Sequence, residues 1–234
     1  MQYVYGPVTS RRLGCSLGVD LTPERCCSLD CIYCEEARPT AKLCTKRGEY
    51  SPTLQVIEQI REEVTPEVDY VTFSGSGEPT LHSGLGTILA ACKDLAPPTA
   101  VLTNSSLLNI ARVRQELTMA DLVIPSLDAV SEATFQELNR PAPGLTAESI
   151  MHGLKSFCSE YTGTIWLEVL LVEGVNDSQQ EVQAIADFVN KLNIGKVQLN
   201  TVSRATTVAG CKPVAREKMQ ELGKLFTAPV EIYT

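Results

Sequence analysis

Three cysteines in one short segment are the residues of this chain with the clearest chemistry. Cys27, Cys31 and Cys34 follow the spacing C-x3-C-x2-C in the segment CSLDCIYC. Three thiolates this close together can bind one soft metal centre. A closed zinc site or a ferredoxin cluster needs four ligands, and the histidines, His82 and His152, lie far along the chain. On a cluster of four irons, three cysteines would leave one iron open to a substrate or cofactor.

The remaining cysteines do not extend this pattern. Cys26 is adjacent to the triplet but does not match its spacing, and Cys44 lies further on in the same predicted loop. Free cysteine is among the most buried residue types, so packing is the expectation for these residues. They are Cys15, Cys26, Cys44, Cys92, Cys158 and Cys211. Packing is also the alternative for the triplet, but its clustering in one loop argues against it.

A turn of small residues, FSGSGEP, follows a predicted strand at residues 73–79. Gly75 and Gly77 allow the backbone to approach a ligand closely, and successive N–H groups in such a turn can face it. A tight turn before a helix is the alternative explanation.

Polar residues at later strands complete the candidate site. Asp128 can accept hydrogen bonds from ribose hydroxyls, and Ser126 and Asn104 can hold ribose or carboxylate oxygens. Turn and capping chemistry is the alternative for all three. Glu168 lies within an apolar strand, where a carboxylate must face a barrel lumen or pair with a cation.

Four more polar residues flank the first and last of the predicted strands. Arg11 and Arg12 precede the first strand, and Asn200 and Arg204 follow the sixth. Arginine binds carboxylate and phosphate groups well, so an anionic substrate or the carboxylate of a cofactor is one hypothesis. Exposure to solvent without a ligand is the alternative.

The chain resembles the radical S-adenosylmethionine (SAM) enzymes. The resemblance rests on C-x3-C-x-aromatic-C, with Tyr33 as the aromatic residue, and on the accompanying segments. It implies a [4Fe-4S] cluster on Cys27, Cys31 and Cys34, whose fourth iron chelates the amino and carboxylate groups of SAM. One electron then cleaves SAM to methionine and a 5'-deoxyadenosyl radical, and the protein positions these cofactors. An electron donor such as flavodoxin or ferredoxin is implied as well.

The resemblance also implies individual SAM contacts. Ser76, Gly77 and Glu78 match the family's G-G-E motif, which holds the amino group of SAM, although serine replaces its first glycine here. The strand that carries Glu168 commonly approaches adenine in this family. The segments YGPVTSRRLGCSLGVDL, FSGSGEPTL, LTNSSLL, SLDAVSEATFQELNRP and VQLNTVSR resemble one branch in particular. That branch contains short iron-sulfur oxidoreductases similar to the core of the wyosine-base synthase that acts on tRNA.

Strands and helices alternate along the chain. Predicted strands at 16–21, 69–73, 100–103, 122–125, 165–172 and 196–199 alternate with predicted helices at 52–64, 85–95, 107–117, 146–157, 179–192 and 214–226. A last extended piece covers 230–233. Continuous apolar strands between helices indicate a parallel α/β sheet. Six units in this length predict a partial (βα)6 barrel of the TIM type, with a doubly wound open sheet as the alternative.

Composition limits the classes of function. The 234 residues are 44 % hydrophobic, which suffices for one domain, with the barrel expected at about 14–204 and a C-terminal helix and tail at 205–234. A net charge of −8 disfavours nucleic acid as the main partner. No secretory signal or membrane-length apolar run is visible, so a soluble cytoplasmic protein without membrane partners is expected.

The substrate class stays open at this point. The leading expectation is hydrogen abstraction from an unidentified small molecule, with an anionic substrate as one hypothesis. A tRNA base and the glycyl-radical loop of a partner enzyme are the enzymatic alternatives. A non-catalytic iron-sulfur or zinc protein is the alternative outside enzymes, and it requires a fourth ligand that the sequence does not offer.

Overall fold

One large sheet runs through the molecule. The computed structural model describes residues 1–23, 25–35 and 42–234, with the backbone alone at Lys42. Within these residues, eight strands pair in the order β1-β2-β5-β6-β7-β8-β9-β10, and β3 pairs with β4 separately. The strands are β1 (Val4–Ser10), β2 (Gly14–Asp20), β3 (Cys26–Cys27), β4 (Lys42–Leu43), β5 (Tyr70–Ser74), β6 (Thr99–Thr103), β7 (Leu122–Pro125), β8 (Thr164–Leu171), β9 (Lys196–Thr201) and β10 (Val230–Tyr233).

The order of the strands decides between the two predicted architectures. From β2 onwards, all neighbours in the large sheet are parallel and follow one another along the chain. A doubly wound sheet reverses its order at a switch point, so that alternative is wrong here. The α/β fold with a partial barrel is confirmed. The sheet has one more strand at each edge than the six predicted parallel strands. β1 pairs antiparallel with β2, and β10, which is the extended piece predicted at 230–233, pairs parallel with β9.

Seven α-helices connect the strands within the described residues. They are α1 (Thr53–Glu63), α2 (Leu85–Ala91), α3 (Ala111–Leu117), α4 (Glu132–Asn139), α5 (Ala147–Glu160), α6 (Gln179–Val189) and α7 (Arg216–Gly223). A short 3-10 helix, Pro79–Leu81, precedes α2. Side-chain caps fix several of the starts: Ser131, Thr146 and Ser178 each accept a hydrogen bond from a backbone N–H of the first turn.

The two faces of the sheet are packed differently. Val71, Phe73, Val101 and Val123 belong to the large core that includes the helices. Alternate residues on the other face form a smaller cluster around Leu13, Ala100, Leu122 and Ile124. This alternation is the period of two expected of strands. The large core also includes Phe226, so the C-terminal segment packs against the barrel, although its extent as one domain stays a prediction.

In the described part of the chain, no helix is both long and apolar enough to cross a bilayer.

Candidate functional site

The cysteine segment is held in place by backbone hydrogen bonds. It follows β2, and Cys27 lies in the short strand β3, where its carbonyl accepts from the N–H of Cys44 at 2.9 Å. The N–H of Ile32 donates to Leu138 at 2.9 Å, and the N–H of Thr207 donates to the carbonyl of Cys34 at 2.9 Å. The loop is therefore fixed from β4, from α4 and from the segment after β9.

Two side-chain amides donate to cysteine sulfurs. Nδ2 of Asn104 lies 3.4 Å from Sγ of Cys27, and Nδ2 of Asn139 lies 3.3 Å from Sγ of Cys31. Asn104, which was predicted to hold ribose or carboxylate oxygens, therefore contacts the cysteine segment here. Asn139 was missed, because nothing local in the sequence connects it with a cysteine 108 positions away. The only signal was its place in the segment SLDAVSEATFQELNRP.

The thiols themselves are strongly desolvated. Burial, with a smaller contribution from the charge of Glu78, raises the pKa of Cys27 to about 12. Burial, and next the charge of Asp128, raises the pKa of Cys31 well above its ordinary value. Such thiols stay protonated at neutral pH unless a metal displaces the proton, and metal binding then releases it.

Glu78 is a buried carboxylate surrounded by donors. It is 2 % exposed, and its Oε1 accepts from the N–H of Thr80 at 3.0 Å, the hydroxyl of Thr80 at 2.6 Å and the hydroxyl of Thr103 at 2.7 Å. Its Oε2 accepts from the N–H of Asn104 at 2.7 Å. Burial raises the pKa of Glu78, although these bonds oppose the rise. The carboxylate ties the turn after β5 to the end of β6.

Close packing against other parts of the chain explains the two glycines, Gly75 and Gly77, in the turn around Glu78. A Cβ at Gly77 would lie 2.1 Å from the carbonyl oxygen of Cys26. Gly75 has φ +111°, and a Cβ there would lie 2.6 Å from Cγ of Asp20. Ser76 donates to Asp20 from its N–H at 3.2 Å and its hydroxyl at 2.6 Å. Close approach to the protein's own chain, rather than to a ligand, therefore accounts for Gly77 in this structure.

Asp128 serves a second buried network. The hydroxyl of Tyr33 donates to Oδ2 of Asp128, which also accepts from Nδ2 of Asn139 at 3.1 Å. Oδ1 accepts from the N–H of Leu170 at 2.9 Å. Burial raises the pKa of Asp128 in spite of these bonds. In the described structure Asp128 is already hydrogen-bonded to Tyr33 and Asn139. It would have to release one of these partners to make the predicted contact with ribose.

A cavity of about 810 Å³ opens at the carboxyl ends of the strands. We call it the main cavity. Of the predicted site residues, it is lined by Arg11, Arg12, Tyr33, Cys34, Ser76, Glu168, Asn200 and Arg204. Ends of β1, β2, β8, β9 and β10 contribute to its wall, as expected for an active site of a parallel barrel. The wall does not include the seven other predicted residues, which are Cys27, Cys31, Gly77, Glu78, Asn104, Ser126 and Asp128.

The charges in the main cavity are largely compensated. Arg12 forms an ion pair with Glu168, as one of the two sequence-based alternatives for Glu168 required. Nη1 of Arg204 lies 3.1 Å from Oε2 of Glu35, and Asp20 is a third acid in the wall. Three carboxylates therefore accompany the three arginines of the wall.

A family model described as the Radical SAM superfamily matches residues 21–189, which include the whole cysteine segment. The chain belongs to the radical SAM superfamily. Its members are enzymes that use a [4Fe-4S] cluster and SAM. The expectations for family, enzyme class and cofactors are thereby confirmed.

Two curated relatives of this radical SAM protein match nearly its whole length. A UPF0026 protein of Methanocaldococcus jannaschii is 33 % identical over 230 residues, which are 97 % of this chain and 71 % of that protein. A protein named GTPase Obg, of Brachyspira hyodysenteriae, is 38 % identical over 233 residues, which are 98 % of this chain and 34 % of that protein. The chain thus spans about a third of the second relative, and its sequence contains no G-x-x-x-x-G-K-[ST] segment.

Solved radical SAM structures share the fold. SuiB of Streptococcus suis, bound to SAM, superposes with a TM-score of 0.71 at 17 % identity over 93 % of this chain and 50 % of its own. TYW1 with a lysine-pyruvate adduct superposes with a TM-score of 0.69 at 16 % identity over 90 % of this chain and 72 % of its own. At these identities the likeness is one of fold.

The donor set of the cysteine segment fits the cluster of this superfamily. Among the described residues, no three His, Cys, Asp or Glu side chains converge closely enough for a single metal ion. A four-iron cube does not require that, because each cysteine bonds to a different iron. The three thiols are half-buried, two of them receive amide hydrogen bonds, and Cys34 reaches the main cavity. The assignment of individual ligands stays a prediction.

Proposed function

We propose that this radical SAM enzyme abstracts a hydrogen atom from an anionic small molecule bound in the main cavity. The supporting observation is that this cavity has Cys34 and Tyr33 in its wall together with Arg11, Asn200 and Arg204. A volume of about 810 Å³ lies within the range of small-molecule sites, so a cofactor and a small substrate can share it.

Cys27, Cys31 and Cys34 would hold the [4Fe-4S] cluster in this proposal. With an electron from a donor such as flavodoxin or ferredoxin, cluster and SAM supply a 5'-deoxyadenosyl radical, and methionine is released. Ser76 and Glu168, which both line the main cavity, are the residues proposed to contact SAM there. The residues outside the wall of the main cavity support the loops that carry these contacts or reach SAM through backbone groups. They are the buried Glu78 and Asp128 and the partly exposed Gly77, Asn104 and Ser126.

The substrate's negative charge would be bound by Arg11 and Arg204. Within the described residues, Arg11 has no carboxylate side chain as a partner and donates to the main-chain oxygen of Thr234 at 2.9 Å and the hydroxyl of Ser203 at 3.3 Å. Arg204 pairs with Glu35, but 76 % of its side chain is exposed. An exposed ion pair contributes little stability, so a ligand can displace it at small cost.

The net charge of −8 argues against a tRNA substrate for this chain, since binding an RNA backbone rewards the opposite sign. A reducing compartment, the cytoplasm, is proposed as its location, because nine cysteines and an oxygen-sensitive cluster need one.

Anaerobic reconstitution with iron and sulfide, followed by SAM and dithionite, tests the proposal. We expect 5'-deoxyadenosine and methionine to form in the wild type, and Cys31→Ala to lose both iron and product. Cys26→Ala is the matched control, because Cys26 is an adjacent buried cysteine outside the triplet, and it should keep both. Intact SAM in a protein that carries its full cluster would overturn the proposal.

A further inference from the structure

A second cavity of about 610 Å³ adjoins the main cavity. We call it the side cavity. The two cavities share Arg11, Thr201, Val202, Ser203 and Arg204, so one molecule can extend from one into the other. The remaining wall of the side cavity is formed by Pro213, Val214, Arg216 and Thr234.

Charge distinguishes the side cavity from the main cavity. Its described wall contains three arginines, Arg11, Arg204 and Arg216, and no Asp or Glu, in a chain whose net charge is −8. All three arginines are exposed. Neighbouring arginines repel one another, and an anion bound between them relieves that repulsion.

The contacts of the arginines connect them around this space. Arg11 and Arg216 both donate to Thr234, Arg11 to its main-chain oxygen at 2.9 Å and Arg216 to its hydroxyl at 3.3 Å. Arg11 also donates to Ser203, the residue before Arg204. No Asp or Glu side chain among the described residues pairs with Arg11 or Arg216, and Arg204 pairs with Glu35. Thr234 is the last of the 234 residues, so its main-chain oxygen belongs to a carboxylate, and three arginines face that one carboxylate in the wall of the side cavity. The wall therefore keeps a net positive charge.

Arg216 adds a further preference for anions. It is the first residue of α7, and Ala215 at the capping position offers no side-chain acceptor to the helix start. An anion beside Arg216 therefore also gains from the positive end of the helix dipole.

We infer that the side cavity binds the phosphate group of a phosphate-ester substrate, whose carbon skeleton extends into the main cavity. Three guanidinium groups suit a phosphate monoester, which offers three terminal oxygens and nearly two charges near pH 7. A carboxylate, with one charge and two oxygens, leaves part of the cluster unused. This inference rests on the proposed function and specifies its substrate class.

Binding of glycerol 3-phosphate to the cluster-loaded protein, measured by titration calorimetry, tests the inference. We expect saturable binding that weakens by about tenfold or more in each of Arg11→Gln, Arg204→Gln and Arg216→Gln, since each removes a charge-assisted contact. Arg112→Gln is the control, because Arg112 lies on α3, is 77 % exposed and is absent from both cavities. It should leave the affinity unchanged.

Acetate and a short single-stranded RNA serve as competing ligands. Acetate should bind much more weakly than the phosphate ester. Any one of four results would overturn the inference. These are no saturable binding of the ester, binding to the three variants as tight as to the wild type, binding of acetate as tight as that of the ester, and tighter binding of the RNA than of the ester. A different result would separate the two proposals. If the ester binds in an arginine-dependent way but the protein does not cleave SAM in the presence of dithionite, the side cavity is a phosphate site and the proposed function is overturned.

Discussion

At the residue scale, the amide of Asn139 is the contact with the most direct consequence for the cluster site. It donates to Sγ of Cys31 and to Asp128 in a position that is 3 % exposed. Hydrogen bonds to cluster sulfurs raise the reduction potential, so Asn139→Leu should make the potential more negative in a spectroelectrochemical titration. Asn193→Leu, at an exposed asparagine of the α6–β9 connection, is the control and should leave the potential unchanged. Equal potentials in the wild type and Asn139→Leu would contradict this prediction.

A second prediction at this scale concerns Glu78, for which the family resemblance and the structure emphasise different roles. Glu78→Gln places an amide NH₂ against a donor, since all four contacts of the carboxylate are donors. Leaving one buried group unpaired costs about 1–3 kcal/mol. We therefore expect a loss of that order in the free energy of unfolding in urea, with or without SAM. Glu62→Gln, exposed on α1, should change it little. Unchanged stability together with weaker SAM binding would favour a direct contact with SAM over this supporting role.

At the element scale, the strands and helices show which parts of the fold can be predicted from the sequence and which cannot. The predicted strand 122–125 matches β7, and the other five parallel strands were found within two residues, because each is a run of apolar or β-branched residues. β1 was missed since Val4 is its only fully buried residue. α4 was missed because it buries only Phe135, Leu138 and Asn139. Apart from the two bonds that Thr80 donates to Glu78, the bonds of Glu78 and Asp128 were not predictable, because their partners lie in other elements of the fold.

His82 gives a pH-dependent link between elements. Its Nδ1 accepts from the N–H of Gly84 at 3.0 Å, which leaves Nε2 to donate to the carbonyl of Ser51 at 2.8 Å. Burial lowers the pKa of this histidine below 6.5. Below about pH 6.5 the unfolded chain therefore binds more protons than the folded chain. The contribution of His82 to the free energy of unfolding is complete above this pH and is lost as the pH falls towards the pKa of the folded state. Urea unfolding between pH 5 and 8 should show this slope.

The His82 link is checked by two matched variants. His82→Gln should lower stability at pH 8 and flatten the slope below pH 6.5. His152→Gln, at an exposed histidine on α5 for which no such bonds occur in the described structure, should keep the slope of the wild type. A slope that survives in His82→Gln would assign the pH dependence to other groups.

At the scale of the whole molecule, the barrel supports the cysteine segment before any cluster is bound. β1 and β10 are the two edge strands of the sheet. Arg11, which follows β1, donates a hydrogen bond to Thr234, which follows β10. The cysteine segment is bonded to β4, to α4 and to the segment after β9. Small metal domains that lack such support are unfolded without their metal.

We therefore expect the iron-free protein to keep its fold. Removal of iron and sulfide under anaerobic chelation should leave the far-UV circular dichroism and one cooperative urea transition. Hydrogen exchange should quicken at the cysteine segment, while β5, β6 and β7 stay protected, because their residues are buried in both cores. Reconstitution should reverse the change. The alternative, in which the cluster is required for folding, predicts loss of the cooperative transition and fast exchange in these central strands as well.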